Sequence, residues 1–278
     1  MSDPGSAPRF SANTGFLYPG LDFLARIRAA ARDGFDALEF HDEGQRVERA
    51  RLREVLDECG LPVLGLNVAM GPSAGCAAIP GREARARADI DAAIELAEDI
   101  DAGAIHVLAG RTEAPEARET FLGALEHALA ATSRTILIEP LCTAKMPDYW
   151  LRSLDEAAAI VAELDRPNLR ILFDCFHVET EHGDTLARLR EHVAAVGHVQ
   201  IASVPERAEP RVGARGTGSL DYAELLPAFR AAGYAGAFGC EYTPTLDGGA
   251  SLAWREAFAA PPSRGGGGGA QRGAMKLP

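Results

Sequence analysis

Residues 169–202 read LRILFDCFHVETEHGDTLARLREHVAAVGHVQIA, and the pattern of this stretch decides the fold. Its first part, Leu169 to Val178, is almost continuously apolar, as a strand buried on both faces should be. Leu186, Leu189, Val193 and Val196 then recur at helical spacing, and Gly197 stands where a glycine ends a helix. A second apolar run, His198 to Ala202, begins at once. A strand, an amphipathic helix and another strand in succession imply parallel pairing through a right-handed crossover.

Outward from this unit the same alternation repeats. Strands are predicted at Phe10–Phe16, Ala37–His41, Pro62–Ala69, Ala104–Ala109 and Thr135–Pro140 before it, and at Ala237–Tyr242 after it. Helices are predicted between them, with Gly34 and Gly60 as stops, Ser153 and Glu156 as a capping box, and Asp221 as an N-cap. The last helix is placed at Ser251–Ala259. Eight such units predict an α/β fold, a single (β/α)8 TIM barrel over residues 9–260, with an open doubly wound sheet as the alternative. Residues 261–278, PPSRGGGGGAQRGAMKLP, have almost no apolar content and are expected to form a disordered tail.

Composition narrows the function. Of 278 residues 47% are hydrophobic, enough for a sizeable core. Lys and Arg total 28 against 40 Asp and Glu, a formal net charge of −12 that argues against nucleic acid or an anionic membrane as partner. No apolar run reaches the roughly 18 residues of a membrane span, and Met1–Arg9 has no basic-then-apolar leader pattern, so a cytoplasmic location is expected. The five cysteines (59, 76, 142, 175 and 240) are odd in number and lack CxxC spacing, so free buried thiols are expected. Nothing here fixes the oligomeric state; a homo-oligomer stays open.

Four polar residues end apolar runs from four successive units: Glu139, Asp174, Gln200 and Glu241. One such carboxylate alone reads as a solvated strand end or a helix cap. Four together at the C-terminal ends of barrel strands, where barrel chemistry sits, form an all-oxygen donor set for one divalent cation, Mg²⁺ or Mn²⁺. Carboxylates held that close repel unless a cation or proton neutralises them. Glu39 and His41 end the second strand and His106 lies in the fourth, so they are candidates for the pocket lining; Asn13 and Asn67 are candidates for its rim. His127 and His192 fall within helices and are expected to face solvent.

The phrases RFSAN (9–13), GFDALEFH (34–41), HVLAG (106–110), ILIEP (136–140), MPDYWL (146–151), RPNLRILFDCFH (166–177), GHVQIASVPER (197–207) and GYAGAFGCEYTP (233–244) occur in the order found in hydroxypyruvate isomerases. From about Arg9 to Ala259 the chain resembles that family of xylose-isomerase-like barrels. The resemblance implies one divalent metal at Glu139, Asp174, Gln200 and Glu241, with Glu139 and Glu241 as the acid/base pair. It implies His177 as a substrate contact and Arg207, in Val204-Pro205-Glu206-Arg207, as a clamp for a substrate carboxylate. The implied activity is aldose–ketose isomerisation of a small hydroxy-carbonyl acid, hydroxypyruvate to tartronate semialdehyde through an enediolate.

Three positions depart from the family pattern: Ser203 replaces an Asp, Glu179 a Gln, and Ser219 a Glu, the last beside an insertion around residues 211–215. A sugar-acid or keto-sugar isomerase or epimerase of 2-oxo-tetronate type is the nearest alternative. An apurinic-site endonuclease would share the barrel but use a His-rich cluster of several zinc ions, and a non-catalytic barrel would have lost one of the four oxygen donors.

Overall fold

The computed structural model of the chain describes residues 7–213 and 220–259. Eight parallel strands close into a barrel in sequence order: β1 (Phe10–Asn13), β2 (Ala37–Phe40), β3 (Val63–Asn67), β4 (Ala104–His106), β5 (Thr135–Ile138), β6 (Leu169–Asp174), β7 (Val196–Ile201) and β8 (Phe238–Cys240). Closure pairs Phe10 of β1 with Phe238 of β8. Outside the strands lie α1 (Phe23–Arg32), α2 (Arg49–Cys59), α3 (Glu83–Asp99), α4 (Ala117–Ala131), α5 (Leu154–Leu164), α6 (Cys175–His182), α7 (Thr185–His192) and α8 (Tyr222–Ala231). The expected single barrel is therefore the fold, and its elements run from Phe10 to a closing 3₁₀ helix at Gly248–Phe258, not an α-helix. The expected tail, 261–278, and Ser219 lie outside the described residues.

The helix ends follow the sequence. Asp22, Ser153 and Asp221 each accept a backbone N–H of the first turn of α1, α5 and α8. Gly60 closes α2 with φ of 65°, the left-handed turn that favours glycine. The core is the layer between strands and helices, where residues such as Ile27, Leu52, Phe121, Ile160 and Phe229 are wholly buried.

The sixth unit differs from its reading. Asp174 ends β6 and at once caps α6, accepting the Phe176 N–H at 2.8 Å. Residues 175–178, apolar enough to pass for strand, are thus the first turn of a helix. Val196 and Gly197 belong to β7, and Gly197 is there because a Cβ would lie 2.6 Å from Arg170 Cβ on β6.

All five cysteines are free. Among the described residues no helix is long and apolar enough to cross a membrane.

Candidate active site

Parallel strands of a barrel end together, so polar residues at those ends meet. Asp174 is the last residue of β6 and pairs in register with Gln200 of β7, while Glu139 and Glu241 each lie just past their strands. All four are buried. Glu139, Asp174 and His177 offer donor atoms within 4.8 Å of one another. Glu241 joins them through Arg207, whose Nη2 donates to Asp174 Oδ2 at 2.7 Å and to Glu241 Oε2 at 2.5 Å.

Glu241 is the most heavily hydrogen-bonded of the set. Its Oε1 accepts from Asn13 Nδ2 at 2.9 Å and lies 3.1 Å from His41 Nε2. Burial alone would raise its pKa, but Arg207 and His41 pull it down to about 2. Glu139 goes the other way: burial, then the charges of Glu241 and Asp174, push it well above the carboxylate range. Burial likewise lifts Asp174 to about 7 against the pull of Arg207. Glu139 Oε1 and Gln200 Oε1 are buried with no hydrogen-bond partner. Buried oxygens without donors, on β7 and just past β5, which flank the strand carrying Asp174, are what a hard divalent cation would satisfy.

The other expected residues divide. His177 is buried on α6, accepts the Cys142 N–H at Nδ1 (3.0 Å), and has Nε2 3.0 Å from Arg207 Nη1. Arg207 lies over the rings of Phe16 and Phe176, 4.8 and 5.1 Å from their centroids. His106 Nδ1 is 3.2 Å from Asn67 Oδ1 and 3.7 Å from Glu139 Oε2, and burial lowers its pKa to about 4. Glu39, expected to line the substrate pocket, has Oε2 2.5 Å from His198 Nε2 and accepts from Gln200 Nε2 at Oε1, 3.4 Å away.

His127 and His192 do not simply face solvent: each is half-buried, 2.7 Å from Asp91 and 3.1 Å from Asp155 respectively. Asn13 and His41, expected at the rim and lining of the pocket, both contact Glu241. Their place at the ends of β1 and β2 was the available signal.

Two departures from the family pattern have structural work. Ser203 Oγ accepts the Ala208 N–H, pinning the turn that carries Arg207. Glu179 accepts from the N–H and hydroxyl of Thr185, joining α6 to α7. The Arg207 turn is also strapped to the chain after β8. Thr243 N–H donates to Arg207 O at 2.9 Å, and Glu209 accepts from Thr245 N, Thr245 Oγ1 and Leu246 N.

The model of the xylose isomerase-like TIM barrel matches residues 27–259. A 2-oxo-tetronate isomerase of Cupriavidus necator is 41% identical over 90% of this chain and 98% of its own. The chain belongs to the xylose-isomerase-like TIM barrels, in the hydroxypyruvate isomerase family. Within that family a human protein named putative hydroxypyruvate isomerase is 35% identical over 90% of this chain and 95% of its own. A crystal structure titled AP endonuclease, family 2, from Brucella melitensis superposes with a TM-score of 0.84 at 33% identity, over 91% of this chain and all of the other. As a member of the hydroxypyruvate isomerase family, whose curated relatives are named isomerases, the protein is an isomerase.

Proposed function

We propose that the protein interconverts the aldehyde and ketone forms of a short hydroxy-carbonyl acid, of the hydroxypyruvate or 2-oxo-tetronate class. The supporting observation is the meeting of buried Glu139, Asp174 and Glu241 at the strand ends, with Glu139 Oε1 and Gln200 Oε1 left without a hydrogen-bond partner. Two carboxyls on such a site suit a reaction that removes a proton at one carbon and returns it to the next. The identities to the 2-oxo-tetronate isomerase and to the human protein, 41% and 35%, favour a four-carbon acid over the three-carbon one expected from the sequence.

Glu139, Asp174, Gln200 and Glu241 would hold one Mg²⁺ or Mn²⁺. Once bound, the cation supplies positive charge for the substrate's neighbouring carbonyl and hydroxyl oxygens. Glu241 accepts the carbon-bound proton next to the carbonyl, and the proton of the neighbouring hydroxyl passes to the carbonyl oxygen, giving an enediolate. Glu139 gives its proton to the former carbonyl carbon as the other oxygen becomes the new carbonyl, and the proton held by Glu241 returns to Glu139 through solvent before the next turnover. No atom is gained or lost. Arg207 and His177 face the same space and suit the substrate's carboxylate and hydroxyl.

The relative titled AP endonuclease raises a second reading, hydrolysis at abasic DNA. The net charge of −12 and a donor set of oxygens speak against it. The test is proton–deuterium exchange into 2-oxo-tetronate, hydroxypyruvate and neutral keto-sugars, on chelator-treated protein with and without Mg²⁺ or Mn²⁺. Metal-dependent exchange into the acids is expected. Exchange confined to neutral sugars, or full activity without metal, would overturn the proposal, and cleavage of abasic DNA would replace it.

A further inference from the structure

Inside the barrel, polar residues of β2 and β7 meet. Glu39 of β2 reaches across the interior to β7, which is not its neighbour in the sheet, and meets both His198 and Gln200. His198 and Gln200 stand two apart on β7, so their side chains share the inward face. All three are buried. Gly239 of β8 makes the room. A Cβ there would collide with Glu39 Oε1 and lie 2.8 Å from His198 Nε2 and 2.9 Å from Gln200 Cγ.

The chemistry of these contacts has a direction. A carboxylate only accepts hydrogen bonds. His198 Nε2 takes Glu39 Oε2, which leaves Oε1 to the Gln200 amide, and only the NH₂ end of that amide can serve it. The Gln200 carbonyl oxygen is thereby the end left over, and it is buried without a partner. Turned the other way, the amide would set an acceptor against the Glu39 carboxylate and present N–H donors where an oxygen ligand is needed.

We infer that Glu39, braced by His198, is a positioning residue that fixes the Gln200 amide with its oxygen free for the cation. This rests on the proposed ligand set of Glu139, Asp174, Gln200 and Glu241. It also gives Glu39 a role other than touching substrate.

The experiment is Mn²⁺ affinity by calorimetry on chelator-stripped protein, with thermal melts to check folding. Glu39→Gln should weaken Mn²⁺ about 10- to 100-fold, the scale of losing an outer partner of a metal ligand. Glu39→Asp keeps the charge but withdraws it by one methylene, and should weaken binding as well; it also serves if Glu39→Gln fails to fold. Gln200→Ala should weaken binding, and Glu39→Gln added to it should cost nothing more, because the residue through which Glu39 acts is gone. Wild-type affinity in both Glu39 variants, or a Glu39→Gln loss that persists in full in the Gln200→Ala background, overturns the inference and leaves the ligand set standing. Wild-type affinity in Gln200→Ala overturns the ligand set itself.

Discussion

Arg207 Nη2 sits 2.7 Å from Asp174 Oδ2, so the residue expected to clamp a substrate carboxylate is itself ion-paired with a carboxylate of the site. The same nitrogen touches Glu241 and is, after burial, the main influence on that residue's pKa. Removing Arg207 therefore has two separable effects. Arg207→Ala should raise KM about 10-fold or more with a smaller change in kcat, since the clamp acts in ground and transition states alike. It should also move the acidic limb of the kcat/KM profile to higher pH, because Glu241 loses the charge that holds it near 2. Steady-state kinetics across pH would show both, and an unmoved acidic limb would disprove the coupling.

Glu241→Gln keeps an oxygen for the cation and removes the basic carboxylate. Turnover should fall about 10²-fold or more, the scale of losing a general base, while Mn²⁺ affinity falls less. Solvent-deuterium exchange is the readout. Near wild-type exchange would reduce Glu241 to a ligand and leave Glu139 to carry the proton.

Asn13 donates to Glu241 Oε1 through Nδ2, and its own Oδ1 accepts the Gly15 N–H, so its amide orientation is set. Asn13→Asp replaces the donor with a like charge. Activity should drop about tenfold or more, the equivalent of one hydrogen bond to a charged group, and more than in Asn13→Ala. Equal losses in the two variants would mean that Asn13 acts by packing alone.

The buried carboxyls also predict a pH dependence of stability. Asp174 is lifted to about 7 in the folded protein, against about 3.9 in an unfolded chain. The folded state then binds that proton more tightly, so metal-free stability is fullest below pH ~4 and declines toward pH ~7. Glu139, raised by burial, adds to the same trend. Glu241, held near 2, opposes it only in the acid range where an unfolded Glu would be protonated. Chelator-treated protein should melt lower at pH 8 than at pH 5.5, and Mn²⁺ should raise the melting temperature more at pH 8, where protons compete less for the ligands. Equal Mn²⁺ shifts at the two pH values would contradict this.

The barrel was legible because its strands are largely buried and several give way to a polar residue at their ends, as Ile138-Glu139 and Phe173-Asp174 do. What misled lay at the joints. Cys175 to Val178 is buried and mostly apolar because α6 packs inward at once, and no period distinguishes so short a run from a strand. Gly197 read as a helix stop, although its smallness answers a cross-strand contact with Arg170. Depth was the other gap. Alternation says that Glu39 faces inward, but only the tilt and stagger of a closed barrel bring it across the interior to His198 and Gln200 of β7.

The strap between the Arg207 turn and the chain after β8 bears on how this enzyme could acquire another substrate. Thr243 and Glu209 tie residues 203–209 to residues 243–246, so the arginine and the Glu241 segment form one heritable block. Replacing residues 203–209 alone removes the Glu209 carboxylate from three of these bonds, and replacing residues 243–246 alone removes the Thr245 hydroxyl from one. Exchanged as a pair, the two loops carry their mutual register with them, and specificity can be transplanted without rebuilding the proton-transfer machinery beneath.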